Sequence, residues 1–190
     1  MNNKGFTIIE TLIAITILMI AISGPLVVAS KGSAGAITAR DQMIASYLAQ
    51  ESMETIKNLR DNNIANPVFT SWLTGLNISS TCYATNHSCD ASSLDSPAIL
   101  SGGATMLTLA DGTTTYPLYI SANGYYSHNS SNATQTIFTR YFYLSAVGGS
   151  GPCVENNAQN ECTANVVVLW NEGSTPYSVN ISSEMTNTSR

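Results

Sequence analysis

The chain has 190 residues, a mass of 20.2 kDa and a formal net charge of -5, enough for one ordinary domain and an appendage but not two full domains. Charged residues make up only 10%, against roughly 25% in an average soluble protein, so Ser, Thr and Asn must supply the polar surface. Beyond Pro67 the only basic residues are Arg140 and Arg190, facing seven acidic ones; such a region repels phosphate backbones, and nucleic acid is excluded as an expected partner.

The first element in the chain is apolar. No charged residue occurs from Thr11 to Ser30, and twenty helical residues span roughly 30 Å, the hydrocarbon thickness of a bilayer. Lys4 precedes this segment without an acidic neighbour, which favours a cytoplasmic N-terminus and export of the rest. Gly24-Pro25 interrupts the run; proline lacks a backbone donor and glycine is a poor helix former, so the pair predicts a kink or a locally melting turn.

After Lys31-Gly32 the pattern predicts an amphipathic helix, with Ile37, Ile44, Leu48, Ile56 and Leu59 at helical spacing. Arg40, Asp41, Glu51, Glu54, Lys57 and Arg60 fall largely on other faces. The helix is expected to fade through Asp61-Asn62-Asn63 and to end before Pro67. Residues 69–105, rich in Ser, Thr, Asn and Gly, read as loop with little regular structure.

Strand signals follow at Met106 to Leu109, Tyr116 to Ile120, Thr136 to Val147, Asn165 to Trp170 and Tyr177 to Ser182. Asn171-Glu172-Gly173-Ser174 predicts the hairpin turn between the last two. The strands of Arg140 and Trp170 read as ordinary sheet rather than as a binding site. The expected fold class is therefore α+β: one long N-terminal helix whose hydrophobic half protrudes and whose amphipathic half covers a small antiparallel sheet.

Cys82, Cys89, Cys153 and Cys162 all lie in the polar C-terminal part, and an even count there predicts two disulfides formed outside the reducing cytoplasm. Four cysteines allow three pairings; the short spacings favour Cys82 with Cys89 and Cys153 with Cys162 without proving it. A zinc site at Cys82, His87 and Cys89 matches no common ligand spacing. Asp111-Gly112 reads as a turn before a calcium ligand, and the Asn-x-Ser/Thr triplets, Asn77-Ile78-Ser79 among them, are what so polar a region produces by chance. With no thiol left over, and His87 and His128 in loops without a nucleophilic partner, neither enzyme activity nor a cofactor is expected.

The most informative stretch is Lys4-Gly5-Phe6-Thr7-Ile8-Ile9-Glu10-Thr11-Leu12. An ordinary secretory signal is cut after its apolar region, whereas here the basic residue and glycine abut its start. Glu10 stands out on physical grounds, because an ionisable group inside a membrane segment is costly and by default functional. The stretch resembles the class III signal of type IV prepilins and type II secretion pseudopilins. That resemblance implies cleavage between Gly5 and Phe6 by a prepilin peptidase, methylation of the Phe6 amine, and pairing of Glu10 with the N-terminus of a neighbouring subunit. Leu48-Ala49-Gln50-Glu51 through Asp61, Phe138-Thr139-Arg140 and Val166 to Trp170 resemble V-type and I-type minor pilins more weakly.

On this reading residues 1–5 are leader, 6–30 the membrane and assembly helix, 31–63 the amphipathic helix and 64–190 the head. The resemblance implies a structural filament subunit, a minor pilin or pseudopilin. Its partners would be other pilins, the peptidase that also methylates, and the membrane. Its head would face outward, first as a single-pass protein and then in an extracellular or periplasmic filament. Two competing readings remain: a secretory protein cut after Ala34-Gly35-Ala36 and starting at Ile37, and an anchored, adhesin-like head that never polymerises.

Overall fold

The computed structural model describes residues 5, 7–66, 71–74, 76, 88–90, 107–109, 117–128, 130–148, 153 and 160–188. They form one helix, α1 (Ile8–Ala65), and seven strands. These are β1 (Ser88–Asp90), β2 (Leu107–Leu109), β3 (Pro117–Ser121), β4 (Tyr126–Ser127), β5 (Ala133–Ala146), β6 (Glu161–Glu172) and β7 (Thr175–Thr186). The chain divides into two compact units, residues 1–42 and 43–190, and each is described by itself.

The second unit is α+β, as its sequence pattern predicts. In the part of α1 that it contains, Ala45, Leu48, Ala49, Met53, Ile56 and Leu59 are buried. Steps of three and four residues place them on one stripe of the helix. The stripe meets an antiparallel sheet in which β5 is central: β6 and then β7 lie on one side, and β3 with β4 and β1 with β2 on the other. Period-two alternation selects the buried face of each strand. On β5 it is Phe138, Arg140, Phe142 and Leu144; on β6 it is Cys162, Ala164, Val166, Val168 and Trp170. Leu118, Met185 and the partly buried Tyr177, Val179 and Ile181 complete a single core with the helix stripe. Trp170 sits between two rings, its centroid 6.1 Å from Phe138 and 5.5 Å from Tyr177. Such aromatic contacts add about 0.5–1.5 kcal/mol each beyond area burial.

Several features depart from the sequence expectation. Arg140 lies in an ordinary antiparallel strand, as expected, but its side chain is fully buried, and its Nη1 donates to the Leu48 carbonyl at 3.1 Å and to Glu51 Oε2 at 3.0 Å. A cation on the core face of β5 thus reaches two groups on α1, and the Glu51 carboxylate compensates its charge. Ile37, expected on the apolar stripe, is 49% exposed, whereas Asp41, expected on another face, is buried and accepts bonds from Arg40 Nε and Nη2 at 2.9 and 2.8 Å. The helix ends before Pro67, as expected, but stays regular through Asp61-Asn62-Asn63 to Ala65 instead of fading there. Its last turn is held by Asn63, whose buried amide donates to the carbonyls of Trp72 (3.1 Å) and Thr74 (2.7 Å). Within the stretch expected to be loop, Ser88–Asp90 forms a strand; so does the unforeseen pair Tyr126–Ser127.

The β6–β7 hairpin turns through Gly173-Ser174, between the paired Glu172 and Thr175. Gly173 has φ +62°, the positive value that the first central residue of a II′ turn demands and glycine supplies without strain. Cys153 and Cys162 form a disulfide with Cα atoms 5.7 Å apart, both residues buried. Cys82, and with it the expected bond to Cys89, lies outside the described residues, as do His87 and Asp111.

Candidate processing and assembly site

The site begins at Gly5 and extends along the first unit. Gly5 is exposed, and a Cβ added to it would meet nothing within 4 Å. Lys4 and Phe6, the other residues of the expected cleavage junction, lie outside the described residues.

Thr7 starts the helix. Its carbonyl accepts from the N–H groups of Glu10 (3.1 Å) and Thr11 (3.2 Å), and its Oγ1 accepts from the Glu10 N–H at 3.4 Å. The Thr11 bond opens the helix's own ladder, and the bonds to Thr7 occupy the Glu10 N–H, a first-turn donor that has no i→i−4 partner. Thr7-x-x-Glu10 has the residue order of a capping box, with Glu10 three positions after the cap. A carboxylate in the first turn also faces the positive end of the helix dipole. Glu10 therefore has a local helix-starting fit that the sequence reading does not include, although the Thr-x-x-Glu order before an apolar run signals it. Its side chain is exposed, so the local fit leaves the carboxylate accessible.

From Ile8 to Val28 every apolar side chain is exposed, with Ile8 at 85%, Ile20 at 73% and Val28 at 71%. The 18-residue window most apt to cross a bilayer has none of its residues buried. An uncovered apolar helix of this length is unstable in water and suits lipid or the apolar helices of other subunits. The hydroxyls inside it are all internally bonded: Thr11 to the Ile8 carbonyl (2.8 Å), Thr16 to that of Ile13 (2.8 Å) and Ser23 to that of Ile20 (3.1 Å). That removes the cost of exposing a free hydroxyl to hydrocarbon.

The helix continues through Gly24 and Pro25 without a break in its assignment. Pro25 contributes no N–H, so the bonding ladder lacks one rung there. A Cβ on Gly24 would find open space, so no neighbour within this chain requires glycine at that position. Among the described residues no group of three or more His, Cys, Asp or Glu side chains is arranged to hold a metal ion.

The unit offers a capped, exposed, apolar helix start preceded by glycine. No curated protein and no solved structure matches the chain. Residues 1–24 match the family described as the prokaryotic N-terminal methylation motif, so the chain opens with the class III signal peptide of type IV pilins.

Proposed function

We propose that the chain is a structural subunit, a minor pilin or pseudopilin, of a type IV pilus or type II secretion filament. The observation that carries this reading is the methylation motif at residues 1–24 leading directly into the uncovered apolar stretch Ile8–Val28. Cleavage between Gly5 and Phe6 would leave that stretch attached, and the peptidase would methylate the new Phe6 amine. Before assembly the stretch anchors the protein in the membrane; in the filament it is buried against the same segments of other pilins. The second unit, with its disulfide between Cys153 and Cys162, fits folding in an oxidising compartment on the outer side.

Glu10 then has two roles in sequence. In the membrane it completes the first helical turn; in the filament its carboxylate pairs with the protonated Phe6 amine of a neighbouring subunit, since an α-amine of pKa about 8 is cationic at neutral pH. Gly24-Pro25, one rung short in its bonding ladder, is where the helix can extend when the subunit leaves the bilayer. The minor rank rests on the acidic balance beyond Pro67, where Arg140 and Arg190 are the sole basic residues. Of these Arg140 is buried, so little opposite charge is offered to identical copies repeated along a fibre. Expression with the assembly machinery but without other pilins tests the rank: fibres are expected only when a partner subunit is present, with this chain at low copy, and abundant fibres from this chain alone would make it a major pilin.

A further inference from the structure

Between Glu10 and Arg40 the sole charged residue of the helix is Lys31. Arg40 is bonded through Nε and Nη2 to Asp41. Lys31 has no such compensation: its neighbours three and four positions away are Val27, Val28, Ala34 and Gly35. The side chain is exposed, and among the described residues it has no ion-pair or hydrogen-bond partner. Two hydroxyls beside it are also unused. Elsewhere in the first unit Thr11, Thr16 and Ser23 donate to the carbonyl three residues back, Thr38 donates to the carbonyl four back, and Thr7 Oγ1 accepts from the Glu10 N–H. Ser30 and Ser33 are exposed, and among the described residues neither bonds to any group. Three positions apart, they share one face of the helix. Lys31 is about 100° round from Ser30, within reach of its long flexible stem. Gly32 and Gly35 add no bulk, and a Cβ on either would meet nothing within 4 Å.

The level of these three residues identifies their ligand. The charge-free run Thr11 to Ser30 is roughly 30 Å long as a helix, the hydrocarbon thickness of a bilayer. Ser30, Lys31 and Ser33 therefore stand where hydrocarbon gives way to headgroups, whereas Arg40 lies about 13 Å farther along. An ammonium and two hydroxyls, all donors without an acceptor, meet phosphate oxygens at that depth. We propose that Ser30, Lys31 and Ser33 form a binding site for the headgroup phosphate of an anionic phospholipid, at the surface where the rest of the chain leaves the membrane. The site rests on the reading of this helix as a membrane anchor and adds a depth mark to it. Without Lys31 the uncharged run would extend from Thr11 to Ala39, about 43 Å, and no charge would mark where the bilayer ends.

Lipid-selective quenching in vesicles tests the site on the full chain. Ala34, one helical turn beyond Lys31, is replaced by cysteine and labelled with bimane, with the parent chain as the labelling blank. The protein is placed in mixed phosphatidylglycerol and phosphatidylcholine vesicles in which one lipid or the other carries a nitroxide. At A34C, quenching should show at least a threefold preference for phosphatidylglycerol, the scale of one lysine at an anionic surface. K31Q should bring the preference close to unity, K31R should keep it, and S30A/S33A should lower it about twofold. Replacing chloride by inorganic phosphate at equal ionic strength should change nothing. A preference that survives K31Q, or that S30A/S33A leaves intact, overturns the proposal; so does one abolished by inorganic phosphate alone, which would assign the site to the free ion. Bimane at I17C, in the middle of the run, separates this from the underlying reading. Strong quenching there by either lipid with no preference at A34C defeats the phosphate site alone, whereas no quenching at I17C defeats the anchor and the site with it.

Discussion

Replacing Arg140 by methionine isolates the buried cation of the core. The side chain is fully buried, and Nη1 bonds the Leu48 carbonyl and Glu51 Oε2. Methionine keeps most of the apolar volume, so the cavity contribution is small and the lost bonds dominate. The Leu48 carbonyl keeps its place in the helix's own bonding ladder, and loss of the arginine bond there costs about 1 kcal/mol. Glu51 loses a charge-assisted partner worth about 1.5–3 kcal/mol, but its side chain is 34% exposed, and water takes over part of that role, so the lower end applies. These net values already include the cost of desolvating the guanidinium, so no further desolvation cost is subtracted. The expected sum for R140M is a destabilisation of about 2.5 kcal/mol. The double variant R140M/E51L should recover to within about 1 kcal/mol of the parent, because removing both partners leaves no uncompensated charge. Urea unfolding in detergent, followed by the fluorescence of the buried Trp170 and Trp72, measures both. A double variant less stable than R140M would refute the reasoning, since the pair would then contribute nothing through its mutual attraction.

Four further outcomes follow from the same structure. Replacing both Cys153 and Cys162 by serine opens a loop of nine residues' separation and should cost about 2.5 kcal/mol in the same unfolding assay. Gly173→Ala forces a side chain to φ +62° at the β6–β7 turn and should destabilise by about 1 kcal/mol, whereas Ser174→Ala beside it should change stability by less than about 0.5 kcal/mol. Tyr141 has its pKa raised above 10.0 by burial and then by the neighbouring Tyr143. Its stabilising contribution is thus fully present below pH 10 and lost as pH rises through the folded-state value; Tyr141→Phe should flatten the alkaline limb of a stability-versus-pH curve. Glu10→Ala should leave a folded, membrane-inserted protein that enters filaments poorly, scored by the ratio of filament to membrane fraction; normal incorporation would exclude the pairing with a neighbouring amine.

The elements legible in the sequence are those whose periodicity is long and unmixed. The apolar run into α1 and the alternation in β5 and β7 repeat over enough residues to be read, and the apolar run Val166 to Trp170 of β6 is rich in the β-branched residues that favour strand. Short pairings such as Ser88–Asp90 and Tyr126–Ser127 carry no repeat to detect; they exist because a neighbouring strand supplies their hydrogen bonds. Arg140 escapes a sequence reading because its charge argues against its position. Its two-residue spacing from Phe138 and Phe142 nonetheless places it on the core face, and Glu51, one helical step from the buried Leu48, is the acidic group that meets it there. Asp41 lies in the helical phase of Ala45, Leu48, Ile56 and Leu59, which its residue type outweighs in such a reading; Ile37 shares that phase but lies farther toward the N-terminus, where the helix side chains are exposed. At the N-terminus the junction of Gly5 and Phe6 is legible as chemistry. The cap by Thr7 is less so, because the cost of a charge in a membrane segment draws the reading of Glu10 away from its place in a Thr-x-x-Glu helix start.

Everything proposed for this chain depends on the apolar helix being retained and its new N-terminus modified. Intact mass and N-terminal peptide mass spectrometry of the protein from its native membranes or filaments tests this most directly. The expected result is a chain beginning at Phe6 with a methylated amine. A chain beginning at Ile37 would contradict it and establish a secreted protein, and an intact Met1 would reduce the chain to an unprocessed anchor.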